Sequence, residues 1–168
     1  HNDQPQFQWV SSLLENIVSD VVISNGQLDL PLKKEWTLVP DLEKDQGPAA
    51  GVLAAFRKNP NHHLLVCGCD YPLVRIADLV RLLAEGGQAM AVCYTDQSSA
   101  SMDPLVCFYH SSCLPVMEEW YQKGNRSLRH FLQTIPHKVL TPHDVRRMTS
   151  VDDTTTFHQI KSRLHGTH

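Results

Sequence analysis

No stretch of this chain approaches the roughly 20 consecutive apolar residues that a membrane-spanning helix needs, and its first residues carry no secretion-signal pattern. Both absences lead to the expectation of a soluble, cytoplasmic protein. A dominant charge of one sign is missing as well. The 15 Lys and Arg against 18 Asp and Glu leave a formal net charge of -3, so bulk attraction to nucleic acid or to an anionic membrane is not expected. Phosphate binding by a few backbone amides needs no net charge and stays open. Glycine is scarce, eight in 168 residues, and none precedes Gly26. The given sequence therefore has no early glycine-rich loop of the kind that cradles phosphates after the first strand of a doubly wound fold. The five cysteines are an odd number, and Cys67, Cys69, Cys93 and Cys107 lie in apolar, strand-like runs. They read as free thiols in a reducing compartment rather than a disulfide framework. Cys67 and Cys69 lack the spacing and the second pair of a zinc knuckle. Ten histidines are scattered without an HExxH arrangement and read as surface or partly buried side chains.

What is present is an ordinary globular composition, 42% hydrophobic and 20% charged, long enough for a single domain with its own core. Phe7, Trp9, Val10, Leu13, Leu14 and Ile17 recur at helical spacing and predict a helix over 6–16. Strands are expected at 20–24 and 35–40, and Gly47-Pro48 opens a helix through Lys58, with proline in the first turn where a helix tolerates it. The run Leu64 to Cys69 predicts a continuous strand buried on both faces of a parallel sheet. A helix over 76–85 ends at Gly86-Gly87, and a strand over 89–94 follows. A polar loop leads to a strand over 105–109. Helices at 114–122 and 127–134, short strands at 137–140 and 147–151 and a closing helix at 155–164 complete the pattern. Alternating strands and helices mean an α/β sandwich with a mostly parallel sheet.

Asp70 is the best single candidate for chemistry. Ligands of open α/β sheets bind at the carboxyl ends of strands, and an acid directly after an apolar strand stands at that edge. Its carboxylate could hold Mg²⁺, which takes one or two protein carboxylates plus substrate phosphates. It could equally be the N-cap of a helix beginning near Val74. Ser24-Asn25 and Asp41 repeat the pattern of polar strand ends, with turn chemistry as the alternative for each. Gly47 and Gly51 give a helix start where main chain can approach a ligand closely, or simply a tight loop entering a packed helix. Asp152-Asp153 form a fourth acidic strand end, or a cap region before Thr154. Arg126 and Arg129 could meet phosphate groups, or form a solvated helix face.

Taken in order, these segments resemble the molybdenum cofactor guanylyltransferases, the MobA-like nucleotidyltransferase family. The resemblance is carried by Asp41 to Gly51 (D-x(5)-GPAAG), Leu64 to Pro72 (LLVCGCDYP), Asp103 to Tyr109 (DPLVCFY), Leu114 to Leu128 and the closing VDDTTTF. It implies a Rossmann-like three-layer sandwich, and Mg²⁺-dependent transfer of GMP from GTP to the molybdopterin cofactor with release of pyrophosphate. By position, Asp70 resembles the metal-binding acid and Asp41 a nucleotide-binding acid. Ser24 or Asn25 resembles a nucleotide contact, Gly47 and Gly51 the base-proximal glycines, and Asp152 a polar residue near the family's C-terminal helix. The implied partners are GTP, the cofactor, proteins of molybdenum cofactor biosynthesis and molybdoenzymes. A cytidylyltransferase acting on the same cofactor and a non-catalytic nucleotide- or cofactor-binding module are the alternatives. The family's first strand and its glycine-rich loop with a lysine have no counterpart here, so the expectation is an N-terminally incomplete domain, inactive or severely weakened if it is the whole protein. Asp103 stands where the family commonly has His-Pro.

Overall fold

A computed structural model describes residues 4–24, 33, 36–40, 47–87, 89–95 and 101–151. Helix α1 (Gln6–Leu14) turns Trp9, Leu13 and Leu14 toward the interior. The chain then enters β1 (Val22–Ser24), which pairs in parallel with β2 (Thr37–Val39), setting Ser24 beside Val39. Val21, Ile23 and Trp36 form a small cluster of their own, with Phe7 packed against it. Helix α2 (Pro48–Lys58) follows. It starts at Gly47 with φ of 72°, a left-handed conformation that glycine adopts without steric cost. Pro48 at the start suits the helix's unpaired first amides, and Arg57 and Lys58 face the negative end of its dipole. Helix α2 packs on β1, β2 and the first strand of the next sheet, and so joins the two sheets.

That second sheet holds β3 (Leu64–Cys67), β4 (Ala91–Thr95), β5 (Met102–Tyr109) and β6 (His137–Leu140) in the order β3-β5-β4-β6. Its residues alternate between two apolar layers, as strand geometry requires. Ala91, Cys93, Cys107 and Tyr109 face α2, α4 (Cys113–Gln122) and α5 (Leu128–Thr134), meeting Leu53, Phe56, Met117 and Phe131. Val92, Tyr94, Val106 and Phe108 face α3 (Ile76–Glu85), meeting Leu79 and Leu82. Each fully buried Leu or Phe contributes about 1.5–3 kcal/mol relative to exposure, which is ample reason for helices to cover both faces. The α/β class holds.

Three details depart from expectation. Strand β5 runs antiparallel to both β3 and β4, while β1–β2 and β4–β6 are parallel. Only residues 96–101 separate β4 from β5, too few for the helical crossover that a parallel neighbour demands. Strand β3 stops at Cys67, is half-buried along its length and pairs antiparallel with β5, so it is not a strand buried on both faces of a parallel sheet. The segment expected as a strand over 147–151 instead makes a 3-10 turn, Val145–Met148. The Asp144 carboxylate accepts the Arg146 amide there, and that local hydrogen bond competes with extended structure. The predicted helix over 155–164 lies outside the described residues.

All five cysteines are free, with Cys93, Cys107 and Cys113 buried and Cys69 exposed. His63 stacks on His110 with ring centroids 4.2 Å apart, and its Nδ1 accepts the Ser111 amide at 3.0 Å. Among the described residues no helix is long and apolar enough to cross a membrane.

Candidate active site

Asp70 sits where β3 gives way to a tight turn. The Gly68 amide donates to the Leu105 carbonyl at 2.8 Å, one step past the β3–β5 ladder, and the Val74 amide donates to the Tyr71 carbonyl at 3.4 Å. Helix α3 is capped at Arg75, whose amide donates to the Asp78 carboxylate at 3.0 Å, while the Asp78 amide donates to the Arg75 carbonyl at 3.0 Å. Asp70 is therefore not the N-cap of that helix.

Space for its carboxylate comes from Gly68. A Cβ on that glycine would overlap Asp70 Oδ1 outright and would crowd the Tyr71 ring at 3.0 and 3.1 Å. The Tyr71 hydroxyl in turn donates to Asp103 Oδ1 at 3.0 Å. Asp103 is 2% exposed and accepts the Leu105 amide through the same oxygen at 3.0 Å. It reaches this position through an irregularity in β5: register runs Cys93 opposite Cys107, then jumps to Tyr94 opposite Asp103. Bulges of this kind re-aim side chains at sheet edges. The Tyr109 hydroxyl donates to the Pro104 carbonyl at 2.9 Å inside it.

The electrostatics of the turn are negative. Burial, and then the Asp70 and Asp103 carboxylates, push the Cys67 thiol up to about 12. Burial and then Asp70 raise the Cys69 thiol as well. Two carboxylates thus act on one thiol at the end of β3, which is where a cation would be attracted. On the opposite side of the turn, the Val151 amide donates to the Asp70 carbonyl at 2.8 Å.

The remaining candidates distribute as follows. Ser24 is exposed at the carboxyl end of β1, and its register partner Val39 is the last residue of β2. Gly47 is exposed at the start of α2, and Gly51 is buried within that helix. Asn25, Asp41 and Asp152 lie outside the described residues. Arg126 stacks over the Tyr121 ring at 3.8 Å and donates to the Tyr121 and Asn125 carbonyls at 2.9 Å, a local structural role. Arg129 donates through Nε to the Met102 carbonyl at 3.0 Å, at the first residue of β5. Sequence reasoning passed over Gly68, Tyr71 and Val151. A glycine two residues before the acid, in Cys-Gly-Cys-Asp, was the available signal for the first; the Val151 contact is tertiary and had none.

The fold has parallels among known proteins. The model of the MobA-like NTP transferase domain matches residues 1–139. The molybdenum cofactor guanylyltransferase of Ectopseudomonas mendocina is 28% identical over 152 residues, covering 89% of this chain and 74% of that protein. That of Pseudomonas putida is 35% identical over 131 residues, covering 75% of this chain and 66% of that protein. Among solved structures, molybdopterin-guanine dinucleotide biosynthesis protein A from Archaeoglobus fulgidus superposes with a TM-score of 0.77 at 17% identity, over 96% of this chain and 86% of that one. A 2-C-methyl-D-erythritol 4-phosphate cytidylyltransferase from Thermus thermophilus superposes at 0.75 with 11% identity, over 95% and 89%. These structural likenesses show a shared Rossmann-like fold. With the family model spanning most of its length, this chain belongs to the MobA-like NTP transferase domain family of nucleotidyltransferases.

Proposed function

We propose that the protein transfers GMP from GTP to the molybdopterin cofactor, forming the guanine dinucleotide and releasing pyrophosphate, with Mg²⁺ held at Asp70. The observation that carries this reading is the seat of Asp70. Asp70 is half-buried in the turn that follows β3, beside a glycine that leaves its carboxylate room, and ligands of such folds bind outside the carboxyl ends of strands. The names borne by the curated relatives support the choice of substrates.

The donor set suits Mg²⁺. Asp70 offers a single carboxylate, and Mg²⁺ characteristically uses one or two carboxylates and fills its octahedron with water and substrate phosphate. Bound there, the ion would neutralise charge on the triphosphate as an acceptor oxygen displaces pyrophosphate. The protein's own part is placement. Gly68 leaves the carboxylate its space, and the Tyr71–Asp103 bond and the Val151 amide hold the turn. Ser24, at the carboxyl end of β1, and Asn25, Asp41 and Asp152, which lie outside the described residues, are proposed as nucleotide contacts. Gly47 and Gly51 are proposed to let main chain approach the base. A cytoplasmic setting, with molybdoenzymes as recipients of the product, accords with this reading.

Calorimetric titration of the full-length protein with GTP and with CTP, each with Mg²⁺, tests it. Preferential GTP binding, followed by pyrophosphate release when molybdopterin is added, is expected. Preferential CTP binding would replace the guanylyl reading with a cytidylyl one, and binding without pyrophosphate release would make this a nucleotide-binding module.

A further inference from the structure

Asp78 and Arg147 take no part in the transfer proposed above, yet they form the most enclosed ion pair among the described residues. Asp78 is 1% exposed. Its carboxylate accepts the Arg75 amide at 3.0 Å and Arg147 Nη1 at 3.1 Å, while its carbonyl accepts the Tyr94 hydroxyl at 2.9 Å. The Arg147 side chain is 21% exposed, and its Nε is buried without a hydrogen-bond partner among the described residues. Such a pair is a poor source of stability, because removing two charges from water offsets most of their attraction, and an unsatisfied buried donor adds to the expense. What the pair does supply is one fixed geometry for two chain segments far apart in sequence.

The first segment is the start of α3, which directly follows the Asp70 turn. The second runs from the Val145–Met148 turn to Val151. Met148, 2% exposed, is set into the same apolar layer as Leu79, Leu82 and Tyr94. Arg81 of α3 also donates to the Thr141 carbonyl at 2.8 Å. Three residues past Met148, the Val151 amide reaches the Asp70 carbonyl. The Asp70 turn is thus held from both sides, by the helix that leaves it and by the segment that returns to it, and Asp78–Arg147 links those two holds.

We infer that Asp78 and Arg147 are positioning residues that fix the Asp70 carboxylate by way of the Val151–Asp70 hydrogen bond. This rests on the reading of Asp70 as the cation site. Mg²⁺ demands near-ideal geometry at short distance, so a loosened carbonyl anchor at Asp70 would register first as weaker metal binding.

The experiment compares full-length wild type with Arg147→Met, Arg147→Lys and the double variant Asp78→Asn/Arg147→Met. The double variant leaves no unpaired buried charge, and so provides a folded comparison where Arg147→Met alone does not fold. Amide hydrogen exchange should show Val151 losing protection in Arg147→Met while Tyr94 and Leu79 keep theirs. Titration with Mn²⁺ in the presence of GTP, read by electron paramagnetic resonance, should show affinity reduced by about 10- to 100-fold, the range for losing a partner that orients a metal ligand. The half-saturating Mg²⁺ for transfer should rise with it, kcat at saturating Mg²⁺ should stay near wild type, and Arg147→Lys should recover part of the loss. Unchanged Val151 protection, or a uniform fall in kcat and melting temperature with metal affinity intact, would overturn the inference. Asp70→Asn serves as the reference: if it binds Mn²⁺ like wild type, the reading of Asp70 fails instead, and this inference with it.

Discussion

Adding one methyl group at Gly68 should disable the site while sparing the fold. The Cβ of Gly68→Ala would lie well under 3.0 Å from Asp70 Oδ1, where ordinary contact begins near 3.4 Å. The oxygen is at the far end of a side chain, so it yields before the backbone does, by about 1 Å, a misplacement that can reduce a rate by about 10²-fold. The Tyr71 ring, met at 3.0 and 3.1 Å, needs to shift by only a few tenths of an ångström, so overpacking should remain at the low end of its usual range, about 1 kcal/mol. Pyrophosphate release from GTP and molybdopterin, measured against Mg²⁺ concentration, should fall by about two orders of magnitude, and the urea midpoint should move little. A folded Gly68→Ala protein with near-normal turnover would refute the argument that this glycine makes room for a working Asp70. Loss of fold and activity together would show instead that Gly68 is structural.

Removing the Tyr71 hydroxyl as Tyr71→Phe takes one donor from the buried Asp103 carboxylate, and should destabilise the protein by about 1–3 kcal/mol, read from urea unfolding; an unchanged midpoint would show that the bond contributes nothing net. Alkylation of the native protein near pH 8 should modify Cys69 first, since it is the exposed thiol, and leave Cys67, Cys93, Cys107 and Cys113 largely intact. Asp70→Asn should speed the Cys69 reaction, because the Asp70 charge is one cause of its raised pKa; mass mapping that finds Cys67 modified as fast as Cys69 would contradict the burial described. Burial also holds Cys67 and Cys113 at about 12 against an ordinary value of 9.0. A folded value above the unfolded one favours the protonated native state, so this stabilisation is complete below pH 9 and is lost as pH rises from 9 toward 12. Urea midpoints should therefore hold level from neutral pH to about 8.5 and then decline; a level profile through pH 10.5 would refute it.

Much of the arrangement was legible because local rules and tertiary packing agree. Gly47-Pro48 and the apolar face after it mark α2, and the observed helix starts and stops where those signals place it. The periodic Leu79, Leu82 face and the glycine after Glu85 do the same for α3. Asp70 was legible because an acid after an apolar run must emerge at a strand end. What escaped was set by contacts distant in sequence. The half-burial of β3 depends on its neighbour, and LLVCGC reads the same whether its partner is parallel or antiparallel. The reversal of β5 was implied by the short polar loop before it, a signal outweighed by the alternation of helices and strands. The extended reading of 147–151 lost to the side-chain bond of Asp144 with the Arg146 amide. Neither Asp103 beneath Tyr71 nor Val151 against Asp70 has a local cue, since each joins residues many positions apart.

Transfer by the proposed route requires that Asp70 hold a divalent cation beside the nucleotide. The most direct measurement is Mn²⁺ binding by electron paramagnetic resonance, with and without GTP, in full-length wild type and Asp70→Asn, each checked for a normal thermal melt. The exchange replaces one carboxylate oxygen by an amide of nearly the same shape, so packing over Gly68 is kept while the charge is lost. Wild type should bind Mn²⁺ more tightly when GTP is present, and Asp70→Asn should lose that binding by at least about tenfold with its melting temperature unchanged. Equal Mn²⁺ affinity in the two proteins, with GTP present, would contradict the assignment and remove Asp70 from the centre of the site.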